Sequence, residues 1–123
     1  MRDIYLKAVE LRDQLIGALE DLKGQNIVSI DVADLTTITD FMVIVSGRSN
    51  RHVKALVDEV IEAAHECGEQ PLGVEGRETN EWVLLDVGDV VVHIMQKDAR
   101  TFYDLERFWS NIPLESQETE TTV

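Results

Sequence analysis

Residues 41–68, FMVIVSGRSNRHVKALVDEVIEAAHECG, decide the fold. The unbroken apolar run from Phe41 to Val45 predicts a strand over 41–46 that is covered on both faces, because a strand with one wet face alternates polar with apolar positions. GRSN interrupts the run, and Ser49 is placed to cap a helix by accepting a backbone N–H. Val53, Leu56, Val57, Val60, Ile61, Ala64 and Cys67 then recur at i, i+3, i+4, i+7 spacing, the apolar stripe of a helix that Gly68 closes. A strand feeding so long a helix is the kind of crossover that joins parallel strands.

Upstream, Ala8, Leu11, Leu15, Leu19 and Leu22 give the stripe of an earlier helix from Asp3 to about Leu22, with Gly24 where a C-terminal cap belongs. IVSIDV (27–32) reads as a strand, followed by the polar connection DLTTITD. Downstream, QPLGVEGRETNE holds a short strand near Leu72 to Val74 and a polar loop. WVLLDVGDVVVHIM (82–95) then folds two apolar runs back on DVGD as a hairpin. Phe102, Leu105, Phe108 and Trp109 mark a third helix stopped by Pro113, and the tail from residue 114 to 123 has the polar, aperiodic composition of a disordered segment. The order α-β-β-α-β-β-β-α predicts an α/β (α+β) fold: one domain over residues 1–113, with a mixed sheet of about five strands packed by helices.

The hairpin holds two residues that look out of place, Trp82 and His93. If Asp86 and Asp89 flank a two-residue turn with Gly88 at its second centre, Leu84 faces Val91, Val83 faces Val92, and Trp82 faces His93. Trp82, Leu84, Val91 and His93 then share one face, and the aliphatic set Val83, Leu85, Val90, Val92 and Ile94 takes the other, the one expected under a helix. The mixed face becomes either a second packed layer or an open apolar patch; a patch built around a Trp is the usual look of a partner site.

With 11 Lys plus Arg against 24 Asp plus Glu, the formal charge is −13, which repels nucleic-acid phosphate and anionic lipid and favours a basic protein surface. Little direct nucleic-acid binding and no membrane contact are expected. Residues 1–15 lack the apolar core of a secretory signal and the acid-poor bias of a transit peptide, so a cytoplasmic location is expected. The single cysteine, Cys67, cannot form an internal disulfide.

Candidate chemistry is sparse. His93 has no second His or Cys at ligand spacing, and His65 and Cys67 point to different faces of one helix, so no metal site is expected. The carboxylates of DVGD suggest Mg²⁺ in a nucleotidyl-transfer enzyme, but Asp is equally at home in tight turns, and the turn reading is preferred. Gly47 and Ser49 with Arg48, Arg51, His52 and Lys54 resemble a phosphate-holding helix start, yet match neither GxxxxGK[ST] nor GxGxxG. No catalytic set, cofactor site or metal site can be assembled, although a nucleotidyltransferase-like, nucleotide-binding enzyme stands as the alternative function.

DVADLTTITDFMVIVSGRSNRHVKALVDEV (31–60), EWVLLDVGDVVVHIM (81–95) and DARTFYDLERFW (98–109) together closely resemble the ribosomal silencing factor family, also called Iojap or RsfS. Its most specific signature is W-x-L-L-D-x-G-D-V-V-V-H-I followed by R-x-x-Y-x-L-E-x-x-W. The signature falls here on Trp82, Leu84, Asp86, Asp89 and His93, then on Arg100, Tyr103, Leu105, Glu106 and Trp109. Val87 stands where the family often has an aromatic, and Met95 where it often has Phe. The resemblance implies a nucleotidyltransferase-like fold without catalysis. It also implies binding to the large-subunit ribosomal protein L-fourteen, steric blocking of small-subunit docking, and repression of translation when nutrients are short. No organellar targeting extension is seen, so a bacterial-type cytoplasmic member is implied. The expected partner-binding residues are Trp82, Leu84, Asp86 and His93 at the centre, with Lys97, Arg100 and Tyr103 at the rim. An open apolar face would also suit a second copy of the chain, making a homodimer of the free protein.

Overall fold

The computed structural model describes residues 2–103, with side chains from 5 to 101. Its elements are α1 (Arg2–Asp21), β1 (Gln25–Asp31), β2 (Phe41–Gly47), α2 (Asn50–Glu66), β3 (Gly73–Glu75), β4 (Trp82–Asp86), β5 (Val90–Gln96) and α3 (Lys97–Tyr103), in the predicted order. The expectations for Leu105, Glu106, Phe108, Trp109, Pro113 and the tail lie outside the described residues.

The five strands form one mixed sheet in the order β1-β2-β5-β4-β3. β2 and β5 run parallel at the centre, α2 crosses from β2 to the edge strand β3, and all other neighbours are antiparallel. Every residue of β2 is buried, as its unbroken apolar run requires. On one face, Phe41, Val43 and Val45 of β2 meet Val92 and Ile94 of β5 and Val83 and Leu85 of β4, beneath Leu11, Leu15 and Leu19 of α1 and Val53, Leu56 and Val60 of α2. Each such side chain contributes about 1.5–3 kcal/mol when fully buried, so this layer holds the domain together.

Helix ends follow local chemistry. Ser49 accepts the His52 N–H at 3.1 Å as the predicted N-cap, and Gly68, with φ +80°, closes α2 while Glu69 N–H bonds back to the Ala64 carbonyl. The end of α1 differs from expectation. Lys23, not Gly24, takes the left-handed conformation at φ 61°, and Gly24 N–H reaches the Leu19 carbonyl at 2.8 Å. Gly24 is needed for space: a Cβ there would stand 2.7 Å from Val45 Cγ2 and 3.0 Å from the Leu19 carbonyl oxygen.

The hairpin register also departs from expectation, by two residues. Leu84 faces His93, Trp82 faces Met95 and Asp86 faces Val91. The ladder closes with Val87 N–H on the Val90 carbonyl at 2.9 Å, so the turn is Gly88-Asp89 with Gly88 (φ +88°) at its first centre. Val87, 2% exposed, joins the main core instead of occupying the turn, which is the burial that selects this register. A shift of two leaves every side chain on the face assigned to it, because the side-chain period is two.

Candidate functional site

The second face of the sheet is read off the ladders as rows. Ser46, Met95 and Trp82 form one; Ile44, His93, Leu84 and Glu75 a second; Met42, Val91, Asp86 and Gly73 a third. One half of this face is covered. Met42, Ile44 and Met95 pack with Val32 of the β1–β2 connection and Ala99 of α3, and Ile30, Leu35 and the edge of Trp82 close around them. Over β4 the described residues leave the face less covered: Trp82, Leu84 and Asp86 are half-buried, Glu75 is exposed, and Leu84 belongs to neither hydrophobic cluster. The face is thus partly a second packed layer and partly an open patch.

Trp82 and His93 sit diagonally across the hairpin. The indole Nε1–H donates to His93 Nδ1 at 3.0 Å, and the rings lie 5.9 Å apart, tilted by 42°. Burial pushes the His93 imidazole down to about 4, so the ring is neutral at physiological pH. Opposite Val91, Asp86 turns its carboxylate to the backbone and Oδ1 accepts the Gly88 N–H at 2.9 Å. That is the turn role preferred for DVGD. The Asp89 carbonyl accepts from both Asp40 N–H and Phe41 N–H, tying the hairpin tip to the start of β2.

The predicted rim divides. Lys97 is exposed at the first turn of α3. Arg100 is not a rim residue: it is 9% exposed, and its guanidinium donates to Ser46 Oγ at 2.9 Å and to the Gln25 carbonyl at 3.4 Å. Its long side chain lies across the ends of β1 and β2, where it locks α3 onto the sheet. Tyr103 ends α3, and its side chain lies outside the described residues.

Two supports of Trp82 escaped the sequence reading. Gln96 Nε2–H donates to the Asn80 carbonyl at 3.2 Å, Gln96 N–H bonds to the Glu81 carbonyl at 2.9 Å, and Asn80 adopts φ 55°. Gly76, at φ +97°, passes so close to the Trp82 carbonyl that no Cβ could fit. The Gly and Asn of GRETN were the available signal, a tight turn hidden in what reads as a polar loop.

The phosphate-loop alternative finds its groups engaged elsewhere. His52 Nδ1 accepts the Arg48 N–H at 2.9 Å and its Nε2 lies 2.8 Å from the Leu22 carbonyl, so this histidine ties the loop before α2 to the end of α1. Gly47 answers a packing demand, since a Cβ would stand 2.8 Å from Val53 Cγ2. Lys54 and Arg77 both bond to Asp58, at 3.2 Å and 2.7 Å, and hold its carboxyl below the usual range, Arg77 most strongly. Arg48 and Arg51 remain exposed. Among the described residues, no three His, Cys, Asp or Glu side chains are grouped as metal ligands.

The family model described as "Ribosomal silencing factor during starvation" matches residues 6–123 of the chain. Ribosomal silencing factor RsfS of Chromobacterium violaceum is 45% identical over 100 residues, 81% of this chain and 82% of the relative. That of Haemophilus influenzae is 43% identical over 96 residues, 78% and 94%. A crystal structure of a Chromobacterium violaceum protein superposes with a TM-score of 0.79 at 39% identity, covering 93% of this chain and 90% of the other.

Proposed function

This chain belongs to the ribosomal silencing factor family, and from that premise we propose that it silences by steric exclusion, docking the open half of its sheet on ribosomal protein L-fourteen. The large subunit then presents a covered surface where the small subunit would join, and translation is repressed. Nutrient limitation is the condition the family description suggests. The proposal assigns no catalytic step to the chain. It places the protein in the aqueous compartment that holds its ribosomes; among the described residues no helix is long and apolar enough to cross a membrane.

The observation that carries this reading is the row Ile44, His93, Leu84, Glu75. It passes from fully buried at the sheet centre to exposed at its edge. Leu84 is the apolar step of that gradient, with no cluster of its own to complete. Trp82 flanks it as a half-buried aromatic anchor, and Lys97 and Glu75 supply a charged rim. Asp86 and Arg100 act one step back, the first by shaping the turn and the second by holding α3 against the sheet. A charge of −13 suits a basic ribosomal protein better than exposed RNA.

Titration of purified protein L-fourteen with wild type and with Leu84→Glu tests the reading. A central anchor contributes about 2 kcal/mol or more, so the variant should bind roughly thirtyfold or more weakly while melting like wild type. Equal affinity would place the contact on another face. Trp82→Ala is the less selective probe, because Trp82 also packs on the second cluster and bonds to His93.

A further inference from the structure

A neutral imidazole has one nitrogen that donates and one that accepts. The indole N–H of Trp82 can only donate, and it points at His93 Nδ1 from 3.0 Å. Nδ1 must accept, so the single ring proton resides on Nε2, the nitrogen farther from the backbone. His93 is only 5% exposed, and its Nε2 has no hydrogen-bond partner among the described residues. Buried polar groups are normally paired, and an unmade bond is costly. The described side-chain N or O that is both fully enclosed and unpaired is Asn80 Oδ1, so Nε2 keeps some solvent access, on a ring that shares its sheet face with Leu84 directly opposite.

We infer that the Nε2–H of His93 is a preset donor for a neutral oxygen, a backbone carbonyl or a hydroxyl, of the protein that docks on this face. The inference rests on the docking face proposed above. The surroundings choose among acceptors. Glu75 stands two strands away in the same row, Asp86 lies in the adjoining one, and the whole chain carries −13, so a carboxylate or phosphate oxygen is repelled. Lys and Arg side chains accept no hydrogen bond, so a basic partner would offer its main chain or a Ser, Thr or Tyr oxygen to His93 and its cations to the Glu75 edge. Trp82 is the positioning residue: its N–H occupies Nδ1 and holds the ring in the tautomer that keeps the proton on Nε2.

The first test is long-range ¹H–¹⁵N NMR of the free, ¹⁵N-labelled protein at neutral pH. The proton should be on Nε2 with Nδ1 unprotonated, and Trp82→Phe should release a mixture of tautomers; a proton on Nδ1 in wild type overturns the inference. On saturation with isolated protein L-fourteen, the Nε2 proton should move downfield and exchange slowly, and an unmoved resonance overturns it without any variant. For affinity, His93→Phe should bind both L-fourteen and purified large subunits about tenfold more weakly, whereas His93→Gln, which keeps a distal N–H, should stay within about threefold of wild type. Equal binding by wild type and His93→Phe, with both folded, removes the donor role and leaves the docking face standing. A loss seen with whole subunits but not with isolated L-fourteen would put the acceptor on RNA and overturn the proposal. If wild type itself does not bind, the proposed function fails, and this inference falls with it.

Discussion

Two buried histidines, His52 and His93, are each tied into the fold by ring-nitrogen hydrogen bonds. His52 uses both ring nitrogens on backbone groups, joining the Arg48 N–H to the Leu22 carbonyl across the ends of two helices. Removing it in His52→Ala breaks two hydrogen bonds and leaves backbone groups to find new partners, so urea unfolding should show a loss of about 2 kcal/mol. His93 is pushed down to about 4 by burial, against 6.5 when unperturbed. The unfolded chain therefore takes up this proton first as pH falls. The contribution to stability is fully present above about 6.5, declines between 6.5 and 4, and amounts to on the order of 3 kcal/mol. Protonation would also set a second N–H against the Trp82 indole. Urea unfolding at neutral pH and near pH 4 should show a steeper loss for wild type than for His93→Gln, and parallel losses would remove His93 as the cause.

At the scale of the element, the β4–β5 hairpin carries the face, and its glycine separates two kinds of constraint. Gly88 has φ +88° and a Cβ there would make only an ordinary contact with Leu72 Cδ1 at 3.8 Å, so Gly88→Ala should cost about 1–2 kcal/mol from backbone conformation. Gly47 has no such φ but lies against Val53, so Gly47→Ala should cost a similar 1–3 kcal/mol by displacing α2 from the end of β2. Thermal unfolding of the two, alone and combined with Val53→Ala, separates the causes: only the Gly47 defect should be relieved by the smaller neighbour. The hairpin also shows what a sequence can carry. Alternation put Trp82, Leu84, Val91 and His93 on one face and Val83, Leu85, Val90, Val92 and Ile94 on the other, as the ladder has them, and that aliphatic set did lie under the helices. Register was not legible, since DVGD accommodates two turn positions that preserve the faces, and burial of Val87 in the tertiary core chose between them. Arg100 was misplaced for a similar reason. Its partner Ser46 is 54 residues away, and a charged side chain on a short helix carries no local mark that it points inward.

For the whole molecule, the asymmetry of the sheet matters most. One face is closed by α1 and α2; among the described residues the other is closed by α3 and the β1–β2 connection over β2 and β5, and is less covered toward β4. A chain of −13 with such a face should associate with a basic ribosomal protein at a rate that falls as salt rises, while a contact buried at the centre dissociates with little salt dependence. Stopped-flow association at low and high salt reads the two rates separately. The most direct test of silencing follows subunit joining by gradient sedimentation after the protein is added to purified large subunits. Wild type should leave the subunits apart and Leu84→Glu should let them join, whereas equal amounts of joined ribosomes with and without wild type would contradict the account.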